Sequence, residues 1–214
     1  GALTANGNDA RVTSQLPPEL DAYDLTPRHT PKVALAASLR LLDLAEDRSI
    51  IWPLLAATYC PLFGPVDFAC HVSGKTGTFK SEMVSLFQSH YGPRMDARHL
   101  PASWSSTGNA LEALAYKAKN AVLAIDDFIP AGTSWQQKSY QKTADAVIRG
   151  QGNQSGRSRL TDISTMQQTM YPRGLILSTG EDTPDGHSVR ARMMIAELSP
   201  GDISPESLTR GQQA

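Results

Sequence analysis

Hydrophobic residues form short unbroken runs, which are separated by longer segments where they recur at helical spacing. Unbroken runs are typical of strands buried on both faces of a parallel sheet, and the segments between them are typical of amphipathic helices. The strand-like runs lie at residues 66–72, 121–125, 174–178 and 193–198, with a shorter candidate at 99–103. The helical segments lie at about 80–88, 107–119 and 134–148. This alternation predicts an α/β fold with a mostly parallel sheet sandwiched by helices.

The segments on either side of this alternating part have a different pattern. The first residues are small and polar and end in Pro17-Pro18, which is typical of a loosely held arm. Thr30 is suited to cap a helix that starts at Pro31, and a second apolar helical stretch ends at Gly64-Pro65. These features divide the chain into a flexible N-terminal arm, a short helical preface, an α/β core and a flexible tail, at residues 1–25, 26–65, 66–199 and 200–214.

Composition and charge exclude some classes of protein. The 214 residues carry a formal net charge of −1, so any contact with nucleic acid must come from a local basic face or from neighbouring subunits. Cys60 and Cys70 stand in apolar runs without the paired spacing of a zinc site. We therefore expect reduced core cysteines and a cytoplasmic protein. No run approaches the ~18 consecutive apolar residues of a membrane span, so no contact with a membrane is expected.

A glycine-bearing turn follows the first strand-like run and precedes a helical segment. In a P-loop, a glycine is followed by four residues, a second glycine, a lysine and a serine or threonine. Gly74, Lys80 and Ser81 hold these positions. Backbone N–H groups at the start of a helix bind phosphate, the lysine reaches the β and γ phosphates, and the hydroxyl ligates Mg²⁺. The sequence thus predicts a site for ATP, with Ser81 on Mg²⁺, formed by Ser73, Gly74, Lys75, Thr76, Gly77, Thr78, Phe79, Lys80 and Ser81.

Two features of this turn leave alternatives open. Phe79 stands where the motif has its second glycine, which is compatible with a phosphate site only if its backbone is helical and its ring turns away from the nucleotide. The alternative is a Gly/Ser turn that opens a helix by coincidence. Lys75 also follows a glycine, but the residue six positions before it is Ala69, so Lys80 is favoured as the motif lysine.

Two acidic residues follow the next strand-like run. Asp126 and Asp127 end the run at 121–125, about 45 residues after Lys80. Open α/β sheets bind ligands at the carboxyl edge of their strands. Asp126 is predicted to hold Mg²⁺, which favours few carboxylates together with water and phosphate oxygens, and Asp127 is predicted to orient or deprotonate the attacking water. The alternative is an Asp-Asp turn without a metal.

Later polar and basic residues complete the catalytic candidates. Ser178 or Thr179, after the run at 174–178, is predicted to be a polar sensor of the γ-phosphate, although a hydroxylated turn is the alternative. Arg190 or Arg192 is predicted to be an arginine finger for a neighbouring subunit's ATP, which can contribute ~10³–10⁵ in rate, although two solvated arginines are the alternative. The predicted catalytic residues are Lys80, Asp127, Ser178, Thr179, Arg190 and Arg192.

A basic cluster surrounds a glycine-bearing loop. These residues are predicted either to contact nucleic-acid phosphates or to keep the loop solvated. The cluster comprises Arg149, Arg157, Arg159 and Arg173, with Lys138 and Lys142 nearby.

With these residues in place, the chain resembles an ATPase domain found in primase–helicase and replication proteins of phages, plasmids and integrated elements, which is related to the superfamily 3 helicases. The resemblance runs from about Leu25 to Ser199 and rests on residues 73–81, 104–112, 121–127, 150–152, 177–181 and 190–192. It implies an AAA+/RecA-like P-loop NTPase core that hydrolyses ATP and unwinds or translocates DNA. It also implies a homo-oligomeric ring with a hexamer expected, single-stranded DNA as a partner, and a primase or polymerase domain or partner outside this chain. Superfamily 3 helicases also end the acidic strand with two aspartates, which supports Asp127 as the catalytic acid.

Three functions are compatible with these features of the sequence. The first is a motor ATPase, such as a DNA helicase or translocase of replication in a mobile element. The second is a nucleotide-gated DNA-binding or assembly module with little turnover, which Phe79 and the near-neutral charge favour. The third is a small-molecule phosphotransferase, for which residues 149–159 are the candidate lid.

Overall fold

The structure is a computed structural model that describes residues 3–4, 7–8, 16–156 and 169–213. Its strands are Leu3–Thr4 (β1), Gly7–Asn8 (β2), Ala69–Gly74 (β3), Ala102–Ser103 (β4), Val122–Phe128 (β5), Leu175–Gly180 (β6) and Met193–Leu198 (β7). Its α-helices are Pro31–Arg40 (α1), Arg48–Phe63 (α2), Lys80–Gln88 (α3), Gly108–Lys117 (α4), Ser134–Asn153 (α5), His187–Arg190 (α6) and Pro205–Gln212 (α7). Short 3₁₀ helices lie at Pro18–Leu20, Leu41–Asp43 and Ser89–Tyr91. None of the helices within the described ranges is both long and apolar enough to span a membrane.

Five strands form one parallel sheet in the order β4-β5-β6-β3-β7, while β1 and β2 pair separately and antiparallel. Parallel neighbours need crossover connections, and helices supply them. The sequence prediction of a parallel sheet between helices is therefore confirmed. Because the strands are parallel, their carboxyl ends lie at one edge of the sheet, where β6 lies between β5 and β3.

Each face of the sheet is covered by a different set of helices. On β5, Val122 and Ala124 belong to the core shared with α2, α3 and α7, whereas Leu123 and Ile125 belong to the core shared with α4 and α5. Alternate residues of a strand point to opposite faces, so both sets of side chains are buried. Burial on both faces explains why these strands are continuous apolar runs in the sequence rather than alternating ones.

Both segments that the sequence assigned to flexible ends contain residues that pack against the core. Leu20, in the first 3₁₀ helix, is buried, and the hydroxyl of Tyr23 donates to the Val122 carbonyl oxygen at 2.6 Å. In the tail, α7 buries Leu208 in the α2–α3 core. The structure thus differs from the prediction here because single apolar residues among polar neighbours are enough to dock a short segment.

Candidate functional site

The loop between β3 and α3 carries the predicted phosphate-binding residues. A β-carbon on Gly74 would lie 2.5 Å from the Leu198 carbonyl oxygen, so β7 approaches the loop too closely for a side chain there. Gly77 has a φ of 85°, and no atom lies within 4 Å of where its β-carbon would be. Thr78 closes the turn through its hydroxyl, which donates to the Lys75 carbonyl oxygen at 2.9 Å. The first N–H groups of α3 have no intrahelical partner, so an open turn at a helix N-terminus offers donors for an anion.

The backbone of Phe79 corrects one expectation from the sequence. Phe79 is the N-cap of α3 with φ 62° and ψ 24°, which is left-handed rather than helical. A glycine at this position of the motif adopts that conformation without strain, whereas an L side chain costs about 1–2 kcal/mol. The ring is partly buried and packs against the α2–α3 core. Burial of the ring offsets the backbone strain, so a phenylalanine is tolerated.

Lys80, the first residue of α3, places its ammonium at the loop. Its Nζ donates to the carbonyl oxygens of Gly74 at 2.7 Å and Lys75 at 2.9 Å. Partial burial lowers the pKa of Lys80, and the nearby carboxylates of Glu181, Asp127 and Asp126 oppose that shift. The Lys75 side chain is exposed. The ammonium of Lys80 therefore lies among the acids at the edge of the sheet.

Asp126 is joined to residues of two other elements. The register between β5 and β6 shifts between Ile125 and Phe128, and this bulge contains both aspartates. The Asp126 Oδ1 accepts from the Ser81 hydroxyl at 2.8 Å and from the Thr179 hydroxyl. Within the described ranges, no group of three or more His, Cys, Asp or Glu side chains is arranged to hold a metal. A carboxylate beside a hydroxyl is nevertheless the donor set that fits Mg²⁺, which takes most of its ligands from water and phosphate.

Asp127 adopts a left-handed conformation in the same bulge, with φ 72°. Its backbone N–H donates to the Thr179 Oγ1 at 3.1 Å, so Thr179 bridges both aspartates. Partial burial and the neighbouring Asp126 and Glu181 carboxylates raise the pKa of Asp127, while Lys80 lowers it. A carboxylate with a raised pKa is a better proton acceptor, which is the property that a general base needs.

Glu181 belongs to the site although it is not among the residues predicted from the sequence. Its Oε1 accepts a hydrogen bond from the Thr76 hydroxyl, so it links the end of β6 to the loop. Its position in the sequence could have identified it, because an acidic residue directly after a buried strand lies at the carboxyl edge of a parallel sheet. The Ser-Thr-Gly-Glu segment at 178–181 carried that signal.

Ser178 and Thr179 face opposite sides of the sheet. The Ser178 Oγ accepts from the Trp104 indole N–H at 2.8 Å and donates to the His71 Nδ1 at 2.9 Å, while the His71 Nε2–H donates to the Asp182 carbonyl oxygen at 2.9 Å. A carbonyl only accepts, so the neutral imidazole carries its proton on Nε2. Burial lowers the pKa of His71 to about 4. Thr179 is thus the hydroxyl beside the acids, and Ser178 belongs to a buried network on β3 and β6.

The two candidate finger arginines have different surroundings. Arg192 donates to the Asn153 Oδ1 at 2.9 and 3.1 Å and to the Ser188 carbonyl oxygen at 2.6 Å, so its guanidinium connects the segment just before β7 to α5 and α6. Arg190 is exposed and lines a cleft of about 920 Å³ that begins at the loop. Other residues that line this cleft include Ser73, Gly74, Lys75, Glu181 and Glu197.

The basic cluster is not a single patch among the described residues. Arg149 donates to the Asp145 carboxylate at 2.7 Å, and Arg173 stacks over the Tyr116 ring at 3.6 Å. Lys138 and Lys142 are exposed on α5. Arg157, Arg159 and the part of the candidate lid beyond Gly156 lie outside the described residues.

Comparison with known proteins gives one family and a set of structural neighbours. A family model described as Domain of unknown function (DUF927) matches residues 38–162, more than half of the chain. No curated protein matches the chain. The solved structure described as "SCCmec type IV Cch - active helicase" is 18% identical with a TM-score of 0.51, and the match covers 90% of this chain and 36% of that one.

Two further structures are less similar. The apo C-terminal region of NrS-1 is 14% identical with a TM-score of 0.43, covering 94% of this chain and 46% of that one. An inhibitor-bound JCV helicase is 11% identical with a TM-score of 0.42, covering 81% of this chain and 46% of that one. The likeness to the SCCmec structure and the parallel sheet together show a RecA-like P-loop fold. The chain spans about a third of the length of that helicase.

Proposed function

We propose that this chain, which belongs to the family described as Domain of unknown function (DUF927), binds ATP with Mg²⁺ at the loop of residues 73–81 and hydrolyses it as the motor domain of a DNA helicase or translocase. One observation carries the proposal: Lys80, Ser81, Asp126 and Thr179 converge at the carboxyl edge of the sheet. These residues come from three elements that are far apart in the sequence. Their chemistry is that of a phosphoryl-transfer site, where positioning and charge neutralisation supply most of the catalysis.

Each side chain has a distinct part in the proposed reaction. The N–H groups around Gly77 and the ammonium of Lys80 would hold the phosphate oxygens. Ser81 and Asp126 would hold Mg²⁺, which neutralises charge on the phosphates when it is bound. Asp127 would orient or deprotonate the attacking water, with its raised pKa in support. Thr179 would keep both aspartates in place through its two hydrogen bonds.

The proposed motor function draws on the fold as well as on the site. The neighbour with a TM-score of 0.51 is described as an active helicase, and its match covers 90% of this chain. Arg190 is exposed on the wall of the cleft beside the loop, a place from which an arginine finger could act on its own chain's site or on a neighbour's. A ring of identical subunits, with a hexamer as the expected form, is part of the proposal because the resemblance of the sequence to the superfamily 3 helicases implies it.

A nucleotide-gated DNA-binding or assembly module with little turnover is the second candidate. Phe79 favours it, because a side chain replaces hydrogen at the position where the loop must approach phosphate closely. Such a module would assemble on ATP without hydrolysing it.

Steady-state ATP hydrolysis with and without single-stranded DNA separates these functions. We expect DNA-stimulated hydrolysis that falls at least about 10²-fold in Lys80→Ala, because one electrostatic contact to the transition state is removed. Asp127→Asn should lose turnover but keep ATP binding. Lys32→Ala, an exposed lysine on α1, is the matched control. ATP-dependent assembly without turnover would favour the second candidate, and hydrolysis that is indifferent to Lys80→Ala would contradict the site.

A further inference from the structure

An exposed face of α5 combines a tryptophan with two lysines. Trp135 is 76% exposed although tryptophan is mostly buried in folded proteins. Lys138 and Lys142 follow at i+3 and i+7, and residues at this spacing lie on one face of a helix. The buried face of α5 carries Ala144 and Val147 instead. The three side chains therefore form a solvent-facing stripe over the first two and a half turns, which we call the α5 stripe.

The start of α5 is well held, so the stripe has a fixed geometry. The Thr133 Oγ1 accepts from the Gln136 N–H at 3.3 Å, and the Gln136 Oε1 accepts from the Thr133 N–H at 2.8 Å. This reciprocal capping box satisfies donors at the first turn of the helix. Trp135 stands inside that turn, so its ring projects from a rigid element rather than from a loop.

The two lysines of the stripe have no internal partner among the residues that the structure describes. By contrast, Arg149, farther along the same helix, is paired with Asp145 through a 2.7 Å contact. Lys138 also lines a cleft with Asp182 and Asp185, but neither carboxylate forms an ion pair with it among the described residues. The ammonium groups at Lys138 and Lys142 are thus available to an external anion.

We propose that the α5 stripe binds single-stranded nucleic acid. An exposed aromatic ring beside two free cations suits a strand whose bases stack on the ring and whose phosphates contact the lysines. A protein partner would bury Trp135 equally well, but it would gain nothing from two adjacent unpaired lysines unless it were acidic.

The stripe also lies close in the chain to the candidate site. α5 begins six residues after Phe128, the last residue of β5, and β5 carries Asp126 and Asp127. A strand bound to the stripe would therefore contact the element that directly follows the two acids. This inference deepens the proposed function by naming the surface that contacts the nucleic acid, and it rests on that function for the choice of nucleic acid over another polyanion.

Anisotropy of a fluorescein-labelled oligo-dT of about 20 nucleotides, measured on the full chain with and without ATP, tests the proposal. Trp135→Ala should weaken binding about five- to 150-fold, because stacking on an aromatic ring is removed, and Trp135→Phe should retain most of the parent affinity. Trp52→Ala is the matched control, since Trp52 is 53% exposed on α2. Trp135→Ala binding that equals the parent would overturn the proposal.

The lysines are tested by salt dependence. Each phosphate contact contributes about 0.7 to the slope of log affinity against log salt for a single strand. The double variant Lys138→Ala/Lys142→Ala should therefore lower that slope by about 1.4, whereas Lys32→Ala should leave it unchanged. An unchanged slope in the double variant would show that the nucleic acid binds to a different surface. If Trp135→Ala loses only self-association in sedimentation and keeps its affinity for oligo-dT, the α5 stripe is a protein interface instead. If the parent chain shows no ATP hydrolysis but binds oligo-dT in a manner that depends on Trp135 and the two lysines, the proposed motor function is contradicted while the α5 stripe is supported.

Discussion

His71 is a buried imidazole on β3, the strand that leads into the candidate phosphate-binding loop. It accepts from Ser178 and donates to the Asp182 carbonyl, so it connects β3 to β6 and to the segment after β6. The bond from Ser178 requires the neutral ring, because Nδ1 accepts a hydrogen bond only when it carries no proton. Because Ser178 adjoins Thr179 and Asp182 adjoins Glu181, the position of two side chains in the candidate site depends on this network.

Protonation of His71 should destabilise the fold. Burial lowers its pKa from 6.5 to about 4, so the folded protein binds fewer protons than the unfolded chain below pH 6.5. The stabilisation by the neutral ring is complete above pH 6.5 and is lost as pH falls towards 4, by about 3 kcal/mol in all. Urea unfolding at pH 7, 5.5 and 4.5 measures it, with His71→Gln as the variant that removes this titration.

The variant isolates His71 from the other ionisable groups. His90 is partly buried and its pKa is also lowered, so some loss of stability at low pH should remain in His71→Gln. An equal fall in unfolding free energy for parent and variant between pH 7 and 4.5 would show that His71 does not carry the effect.

At the scale of elements, the turn from β3 into α3 combines a strained backbone with a packed ring. Phe79 supplies the left-handed residue that a glycine would ordinarily supply, and its ring packs in the α2–α3 core. These two effects oppose each other in the stability of the fold. They are separable, because alanine retains the strain and loses the ring, while glycine loses both.

Phe79→Gly should be more stable than Phe79→Ala by about 1 kcal/mol, since only alanine has the left-handed cost. In a helix interior the order would be the reverse. The measurement is the free energy of unfolding in urea for both variants. An alanine variant as stable as the glycine variant would mean that Phe79 is not left-handed in solution.

The strands and main helices of the core were predictable from the sequence, whereas the details of the site were not. Continuous apolar runs identified the buried strands, and the glycine-bearing segment after the first run was correctly placed as a turn between a strand and a helix, while its role in phosphate binding stays a prediction. The bulge at Asp127 and the left-handed Phe79 were missed, because a non-glycine residue with positive φ depends on tertiary contacts that no local pattern records. The packing of the segment around Leu20 and of α7 against the core was not predicted, because these segments contain few apolar residues.

At the scale of the whole molecule, the exposed Arg190 could contact ATP bound to its own chain or ATP bound to a neighbouring subunit. It lines the cleft of its own chain, and it is a candidate finger for a neighbour in a ring. The two cases give opposite results when inactive variants are mixed, because only a residue that acts across an interface can be supplied by another subunit.

Mixing Lys80→Ala with Arg190→Ala should restore ATP hydrolysis if Arg190 acts on a neighbour. In an equimolar random ring, about a quarter of the interfaces pair an intact loop with an intact arginine, so about a quarter of the parent rate should return. Arg192→Ala is the control partner, because Arg192 is bonded within its own chain and its variant should not complement in this way. No recovery in the Lys80→Ala and Arg190→Ala mixture would assign Arg190 to its own chain's cleft.

We propose above all that Lys80 binds the triphosphate of ATP and that Asp126 binds the Mg²⁺ of the same ATP. Calorimetric titration of the full chain with ATP, with and without Mg²⁺, tests it most directly. We expect Mg²⁺-dependent binding that weakens at least about tenfold in Lys80→Ala, because a charge-assisted contact is lost. The Mg²⁺ dependence itself should be lost in Asp126→Ala, while the far-ultraviolet circular dichroism of both variants stays that of the parent. Equal ATP affinity in parent and Lys80→Ala, or Mg²⁺ dependence that survives in Asp126→Ala, would contradict this claim.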